Sequence, residues 1–385
     1  MSAGLLVGLT FNLKQNVAPA LDAPEDALAE YDAPDTIQAI EAAITSAGHR
    51  VVRLEADESF LRSVISSSPD VCFNIAEGLR GDAREAQVPA VLEMLGIPYT
   101  GSRVLAHAIS LDKALTKRIW RDCGLPTPLF QLFNTGRERV QPDLTFPLFV
   151  KPLREGTGMG INANSTVHDE RQLRRQVMWV IEAYRQPALV EAYLPGREFT
   201  VGLIGNRRTR GEGRQNGRSD GRGYHLFPVL EIDAQVGAGM GAYNSASKSF
   251  KPGEAGAPNY VCPADISTAL ERQLRALAVR AFEAIGALDL GRVDFRLGSD
   301  DKPYLIEINT LPGLNPISSD LCIMARAEGM SYFDLIHEVL ELALARAGPS
   351  DALHGTPSPY GKVPSMGVQL VSPSLWALSQ SRDPS

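Results

Sequence analysis

Apolar residues come in short runs along this chain, and the period of those runs changes along its length. GLLVGLTF, near the N-terminus, has the length and continuity of a buried strand. A helical period follows around residues 34 to 47 and stops at Gly48; HRVVRLEA then reads as a strand. Asp70 to Ile75 is another short apolar run, and VPAVLEMLG is a helix with Gly96 as its stop. Strand and helix alternate, which predicts a small parallel sheet with helices on its faces.

Around Asp112 the texture changes. DKALTKRIWRDCG is an amphipathic helix, and LPTP carries the chain out of it. FPLFVKPL is a strand followed by the glycine-rich REGTGMG; ALVEAYLPG is a strand running into a turn at Pro195-Gly196; EFTVGLIG begins the next strand. Residues 207 to 223, RRTRGEGRQNGRSDGRG, separate EFTVGLIG from a further strand, YHLFPVLEI. This insert reads as a loose hairpin loop or as a basic arm for an anionic partner. From about 349 the chain is rich in Pro, Ser and Gly, the composition of a disordered tail.

Two strands carry acids where apolar residues are expected. In LIEINTLPGLNP, Glu307 and Asn309 interrupt the apolar series Leu305, Ile306 and Ile308. Two positions apart on a strand, they share one face. Upstream, GRVDFRL embeds Asp294, and the turn GSDDKP makes the two strands an antiparallel hairpin. Pairing across it brings Asp294 close to Glu307 and Asn309, an oxygen set suited to a hard cation such as magnesium. The alternative reading pairs Asp294 with Arg292 or Arg296 at a sheet edge. The loop after Lys151 has three glycines within five residues, which lets backbone N–H groups approach phosphate oxygens. It is neither a Walker loop nor a dinucleotide fingerprint, because no GK[ST] follows. VEAYLPGREFTV places Glu191 and Glu198 seven apart around a turn, an arrangement that can present backbone groups to an adenine ring and a carboxylate to ribose hydroxyls.

Composition narrows the class. With 385 residues, 44% hydrophobic and 22% charged, the chain is an ordinary globular protein of two or three domains. A formal charge of −7 gives no reason to expect nucleic acid as a partner. No run of 18 apolar residues exists, so no membrane span is expected, and MSAGLLVGLTFNLKQ lacks the features of a signal peptide. Cys72, Cys123, Cys262 and Cys322 are scattered, which fits reduced thiols in a cytoplasm.

The order of these features resembles the ATP-grasp superfamily and, within it, the D-alanine–D-alanine ligase family. The resemblance is carried by LGIPYTGS, LDKALTK, VKPLREGTGMG, REFTV, GRVDF, EINTLPGLNPIS and EGMSYFDLI, across roughly residues 85 to 345. It implies an ATP-grasp fold, mixing α/β and α+β, behind an N-terminal Rossmann-like parallel-sheet domain. The expected division is 1–112 for the N-terminal domain, 113–200 for the central subdomain, 201–348 for the C-terminal metal-binding subdomain, and 349–385 for the tail. The implied activity is an ATP-dependent carboxylate–amine ligase joining amino acids or small peptides through an acyl phosphate, with two Mg2+ ions or Mn2+ in their place. Homodimers occur in the family.

Roles follow by resemblance. Lys113 and Lys151 would contact ATP phosphates under the loop of Glu155, Gly156, Thr157 and Gly158, where Thr157 and Gly158 replace two serines. Glu191 would sit at the adenine end, Ala192 and Leu194 would offer backbone contacts, and Glu198 would hold the ribose. Asp294, Glu307 and Asn309 would ligate the metals. Arg292 and the Gly313 N–H would stabilise an oxyanion, Ser318 would hold the second substrate's carboxylate, and Tyr243 and Lys248 would belong to a closing loop. The N-terminal third departs from the pattern. LLVGLTFNLKQNV lacks the family's ammonium-binding glutamate, and in FNIAEGLRGDAREAQ, Arg84 and Glu85 fall where Glu-Asp would be. Glu77, Arg84 and Glu85 are therefore candidates for an altered substrate pocket, with Arg84 placed to meet a substrate carboxylate; the alternative is a solvated loop. His107 reads as structural. The readings that remain are a ligase of changed specificity, a true D-alanine–D-alanine ligase with a divergent N-terminal domain, and a nucleotide-binding regulator without turnover.

Overall fold

The structure, a computed structural model, describes residues 4–19, 21–207, 223–233, 252–254 and 257–354. The N-terminal alternation folds as read. Strands β1 (Leu6–Phe11), β2 (Arg50–Glu55) and β3 (Val71–Asn74) form a parallel sheet in the order β2-β1-β3. Helices α1 (Pro34–Ser46), α2 (Phe60–Ser67) and α3 (Gln87–Leu95) connect and cover them. Pro34 opens α1, where a missing N–H costs nothing. Gly96 ends α3 in the left-handed region, at φ 68°.

Helices α4 (Val104–Leu111) and α5 (Lys113–Asp122) lead out of this layer. They meet at Asp112, whose side chain caps α5 by accepting the Leu115 N–H at 2.9 Å. A second, antiparallel sheet has the order β4-β7-β5-β6, from β4 (Phe130–Phe133), β5 (Leu148–Pro152), β6 (Thr166–Val167) and β7 (Ala188–Ala192), backed by α6 (Glu170–Tyr184). The third sheet contains β8 (Glu198–Gly205), β9 (Tyr224–Leu226), β10 (Leu230–Asp233), β11 (Asn259–Val261), β12 (Leu290–Leu297) and β13 (Pro303–Asn309). Its order is β11-β10-β8-β12-β13, with β9 also on β8. Helix α7 (Thr268–Ala284) packs its apolar stripe on one face. Helices α8 (Asp320–Ala327) and α9 (Tyr332–His354) follow.

One expectation is corrected: YHLFPVLEI is two strands, β9 and β10, because Pro228 has no N–H to give a ladder. Helix α9 continues to His354. Much of the 207–223 insert and residues 355–385 lie outside the described residues. Among the described residues no helix is long and apolar enough to cross a membrane.

The cores decide how the layers join. Val7, Leu9 and Phe73 of the parallel sheet share one buried cluster with Leu321, Met324 and Leu335 of the C-terminal helices. The N-terminal layer is thus packed against helices α8 and α9, which no local pattern predicts. The second sheet has a separate core around Phe133, Val150 and Val190.

Asp32, just ahead of α1, is a titrating weak point. Burial pushes its carboxyl from 3.8 up to about 7, against a lowering hydrogen bond from Thr36. The folded protein therefore holds a proton that the unfolded chain has released, and stability falls as pH rises from about 4 to about 7. Asp32→Asn should flatten that part of the pH–stability curve and gain about 1–3 kcal/mol at pH 7.5, discounted for the solvent Asp32 retains. Urea melts of both proteins at pH 4, 5.5 and 7.5 check this; parallel curves would refute it.

Candidate active site

The site lies between the second and third sheets, and strand register builds it. On the third sheet Asp294 stands opposite Glu307, and Arg292 opposite Asn309. Across β12 the partner strand β8 places Thr200 against Asp294 and Glu198 against Arg296. Two like charges directly opposed on a sheet repel. Their neighbours offset this. Arg292 donates to both Asp294 oxygens at 2.9 Å, Thr200 Oγ1 donates to Asp294 Oδ1 at 2.6 Å, and Lys113 Nζ lies 3.7 Å from Glu307 Oε2. Asn309 Nδ2 donates to Asp294 Oδ2 at 3.1 Å, so the triad read from the hairpin does converge. The alternative reading holds too: Asp294 is paired with Arg292, though on an inner strand rather than a sheet edge.

The register shifts after Asp294, where Phe295 pairs with Leu305 and Ile306 is the extra residue. This bulge brings both Ile306 and Glu307 to the cleft wall. Behind Arg292 stands Asp320, at the start of α8 and 3% exposed, accepting from Nη1 at 2.8 Å. Asp320 and Thr200 are positioning groups that the sequence reading missed.

The opposite wall belongs to β5 and β7. Phe149 pairs with Glu191, so Lys151, two residues on, shares Glu191's face. Glu191 is buried between two lysines, 2.7 Å from Lys117 Nζ and 3.0 Å from Lys151 Nζ. Desolvation raises the Glu191 carboxyl, but the two ammonium groups outweigh it and hold the group below the usual range. Burial pulls Lys117 down to about 8 with Glu191 opposing, whereas for Lys151 the Glu191 and Glu307 charges outweigh burial and the group is raised. Lys117 was missed, although its i+4 spacing from Lys113 puts both on one face of α5. The Glu191 carboxylate is thus engaged in a buried triad; Ala192 and Leu194 beside it line the cleft. Glu198 lies 3.5 Å from Arg296 Nη1. The cleft encloses about 830 Å³, part of it open to solvent.

The glycine-rich loop closes one end. Met159 N–H donates to the Gly156 carbonyl at 2.9 Å, and the turn between puts Thr157 at φ 49° and Gly158 at φ 71°. Lys113 Nζ donates to the Glu155 carbonyl. Burial pushes the Glu155 carboxyl up to about 6, the Arg84 charge opposing. The loop also leans on a segment that no motif marks. Glu30 accepts the Gly156 N–H at 2.5 Å, and Asp26 accepts the Gly160 N–H at 2.9 Å.

A second cavity adjoins the acid hairpin, with Glu30, Glu77 and Glu85 on one side and Arg292, Asn309 and Gly313 on the other. At Gly313 a Cβ would meet Ser319 Oγ at 2.8 Å, so a side chain there would displace the Ser319 hydroxyl. Ser318 Oγ donates to Asn315 Oδ1 at 3.1 Å. Arg84 does not wait for a substrate carboxylate. It donates to Glu30 at 2.5 Å, to Glu155 at 3.2 Å and to the Arg154 carbonyl at 2.9 Å, tying the N-terminal layer to the glycine-rich loop. His107 is buried, with Nδ1 3.0 Å from Thr310 Oγ1. Tyr243 and Lys248 lie outside the described residues.

Residues 119–341 match the family described as D-ala D-ala ligase C-terminus. Protein y4sG of Sinorhizobium fredii, itself uncharacterized, is 34% identical over 315 residues, covering 79% of this chain and 86% of its own. The D-alanine–D-alanine ligase of Bordetella petrii is 33% identical over 306 residues, covering 79% and 85%. The crystal structure of the Bacillus anthracis D-alanine–D-alanine ligase complexed with ATP superposes with a TM-score of 0.65 at 22% identity, covering 89% of this chain and 98% of that one. At that identity the last likeness is one of fold.

Proposed function

The chain belongs to the D-alanine–D-alanine ligase family of ATP-grasp proteins, and from that premise we propose that it is an ATP-dependent carboxylate–amine ligase acting on amino acids or small peptides, with an altered first-substrate pocket. The observation that carries this reading is the in-register pair Asp294 and Glu307, which lines one cleft with Lys113 and Lys151, while Arg292 and Asn309 of the same hairpin line the adjoining cavity.

A carboxylate is a poor acyl donor because its leaving group would be oxide. Its oxygen attacks the γ-phosphorus of ATP, the bond to the β-phosphate oxygen breaks, and ADP leaves an acyl phosphate. Lys113, Lys151 and the N–H groups of the 155–158 loop offset phosphate charge, Ala192 and Leu194 present backbone to the adenine, and Glu198 accepts from the ribose. Asp294, Glu307 and Asn309 fit divalent magnesium, since two opposed carboxylates and an amide already attract cations, Arg292 and Lys113, to that spot. Such an ion would neutralise the phosphates and the two acids together. A deprotonated amine then attacks the acyl carbon. Arg292 and the Gly313 N–H bear the oxyanion, the bond to phosphate breaks, and an amide remains. Asp320 and Asp294 hold the guanidinium for that step. Ser318 would receive the second substrate's carboxylate, and closure over the acyl phosphate excludes water.

The test is magnesium- and ATP-dependent phosphate release over D- and L-amino acids and short peptides, with products identified by mass spectrometry. Turnover with a pair other than D-alanine is expected. Robust D-alanyl-D-alanine synthesis would overturn the altered-specificity part, and ATP binding without phosphate release for any pair would overturn the ligase reading.

A further inference from the structure

The N-terminal side of the second cavity holds more negative charge than the ligase chemistry uses. Glu30, Glu77 and Glu85 line it from two segments of the chain, one ahead of α1 and one after β3. The nearby cations are committed elsewhere: Arg84 to Glu30 and Glu155, Lys113 to Glu307, and Arg292 to Asp294 and Asp320. Glu30 is thereby neutralised. Glu85 has His107 Nδ1 at 3.7 Å, too long for a hydrogen bond, and that nitrogen is already bonded to Thr310.

Glu77 has neither a hydrogen bond nor an ion pair among the described residues. Burial pushes its carboxyl well above the ordinary range, the Glu30 and Glu85 charges add to this, and Arg84 opposes. A desolvated carboxyl that faces a cavity without a partner is an expensive arrangement. It is tolerable where a visitor to the cavity supplies the missing charge. Two separated carboxylates, Glu77 and Glu85, suit two separated N–H-bearing cations. An α-ammonium alone answers one of them.

Resting on the ligase reading above, we propose that the amino-acid substrate seated between these carboxylates and Arg292 carries a second cationic group, as a diamino or guanidino acid does, and that Glu77 selects it. The cavity opens on the Asp294–Glu307 hairpin, so a substrate held there presents its carboxylate toward the reacting centre.

The experiment uses the full chain with ATP and magnesium and compares size-matched substrates, lysine against norleucine and arginine against citrulline, in both chiralities, each alone and with alanine. Phosphate release and product mass give kcat/KM. The cationic member should exceed its neutral partner by about tenfold or more, because the neutral analogue leaves Glu77 without a partner in the occupied cavity. Glu77→Gln should bring that ratio close to one, and Glu85→Gln should lower it. Equal use of neutral and cationic members by the unaltered protein, or a ratio that survives Glu77→Gln, would overturn the proposal. The same pairs are titrated calorimetrically into the protein with magnesium and a non-hydrolysable ATP analogue. If nothing is turned over, the ligase reading fails and this binding ratio decides alone: preference for lysine lost in Glu77→Gln sustains the site, and equal binding overturns it. Glu77→Gln replaces a partly buried acid that has no partner with a neutral amide, so its thermal midpoint should not fall.

Discussion

Glu191→Gln should destabilise the protein by about 3–5 kcal/mol at pH 7, the usual cost of breaking a buried ion pair by removing one partner. Lys117 and Lys151 stand 2.7 and 3.0 Å from the carboxylate, and all three side chains are at most 5% exposed. Without the acid, two ammonium groups face each other out of water. Lys117 keeps hydrogen bonds to Thr127 at 3.0 Å and the Leu305 carbonyl at 3.3 Å, which do not carry charge. The deficit has a pH signature. Lys117 is already lowered to about 8, so its neutral form is accessible in the folded state while the unfolded chain still binds the proton. The variant lacks the Glu191 charge that holds Lys117 up, so its Lys117 gives up the proton at a lower pH, and the deficit should shrink as pH rises toward about 8. Denaturant melts at pH 7 and pH 9.5 measure it. A loss below about 1 kcal/mol at pH 7, or a deficit independent of pH, would show that the triad is hydrated rather than buried.

Glu307→Ala should abolish ligase turnover, by at least about 10³-fold in kcat, while leaving the fold intact. Glu307 is opposite Asp294, and its side chain is 19% exposed toward the cleft rather than packed in a core. Removing it relieves repulsion between opposed acids, so the melting midpoint should hold or rise slightly. Lys113 loses its acidic neighbour at 3.7 Å but keeps the Glu155 carbonyl. Circular dichroism, a thermal melt and the phosphate-release assay together check this. Retained turnover with an unchanged spectrum would remove Glu307 from the metal set.

The acid hairpin was legible because every relation in it is local. Asp294, Glu307 and Asn309 lie on adjacent strands joined by one turn, and strand alternation alone puts them on one face. The bulge at Ile306 was not legible, because no glycine or proline marks it. Arg84 shows the opposite failure. Its charge against the family pattern was visible, but its partners Glu30 and Glu155 are 54 and 71 residues away in opposite directions. Read locally, a lone arginine beside a substrate pocket invites a ligand; in the fold it is a tie between the N-terminal layer and the glycine-rich loop.

What the chain determined by itself was the set of elements and the chemistry each could bear: the parallel βαβ layer, the acid-bearing hairpin, the glycine-rich loop behind Lys151 and the strand carrying Glu191. Periodicity and turn residues are short-range signals, and they suffice for that. The tertiary structure decided which charges meet. It buried Glu191 between Lys117 and Lys151, set Asp320 behind Arg292, laid Glu30 and Asp26 on the N–H groups of the glycine-rich loop, and left Glu77 facing a cavity without a partner. These are pairings across more than about twenty residues, made by layers that close on shared cores. Electrostatics within a protein depends on distance and burial, and neither is written in the order of residues along the chain.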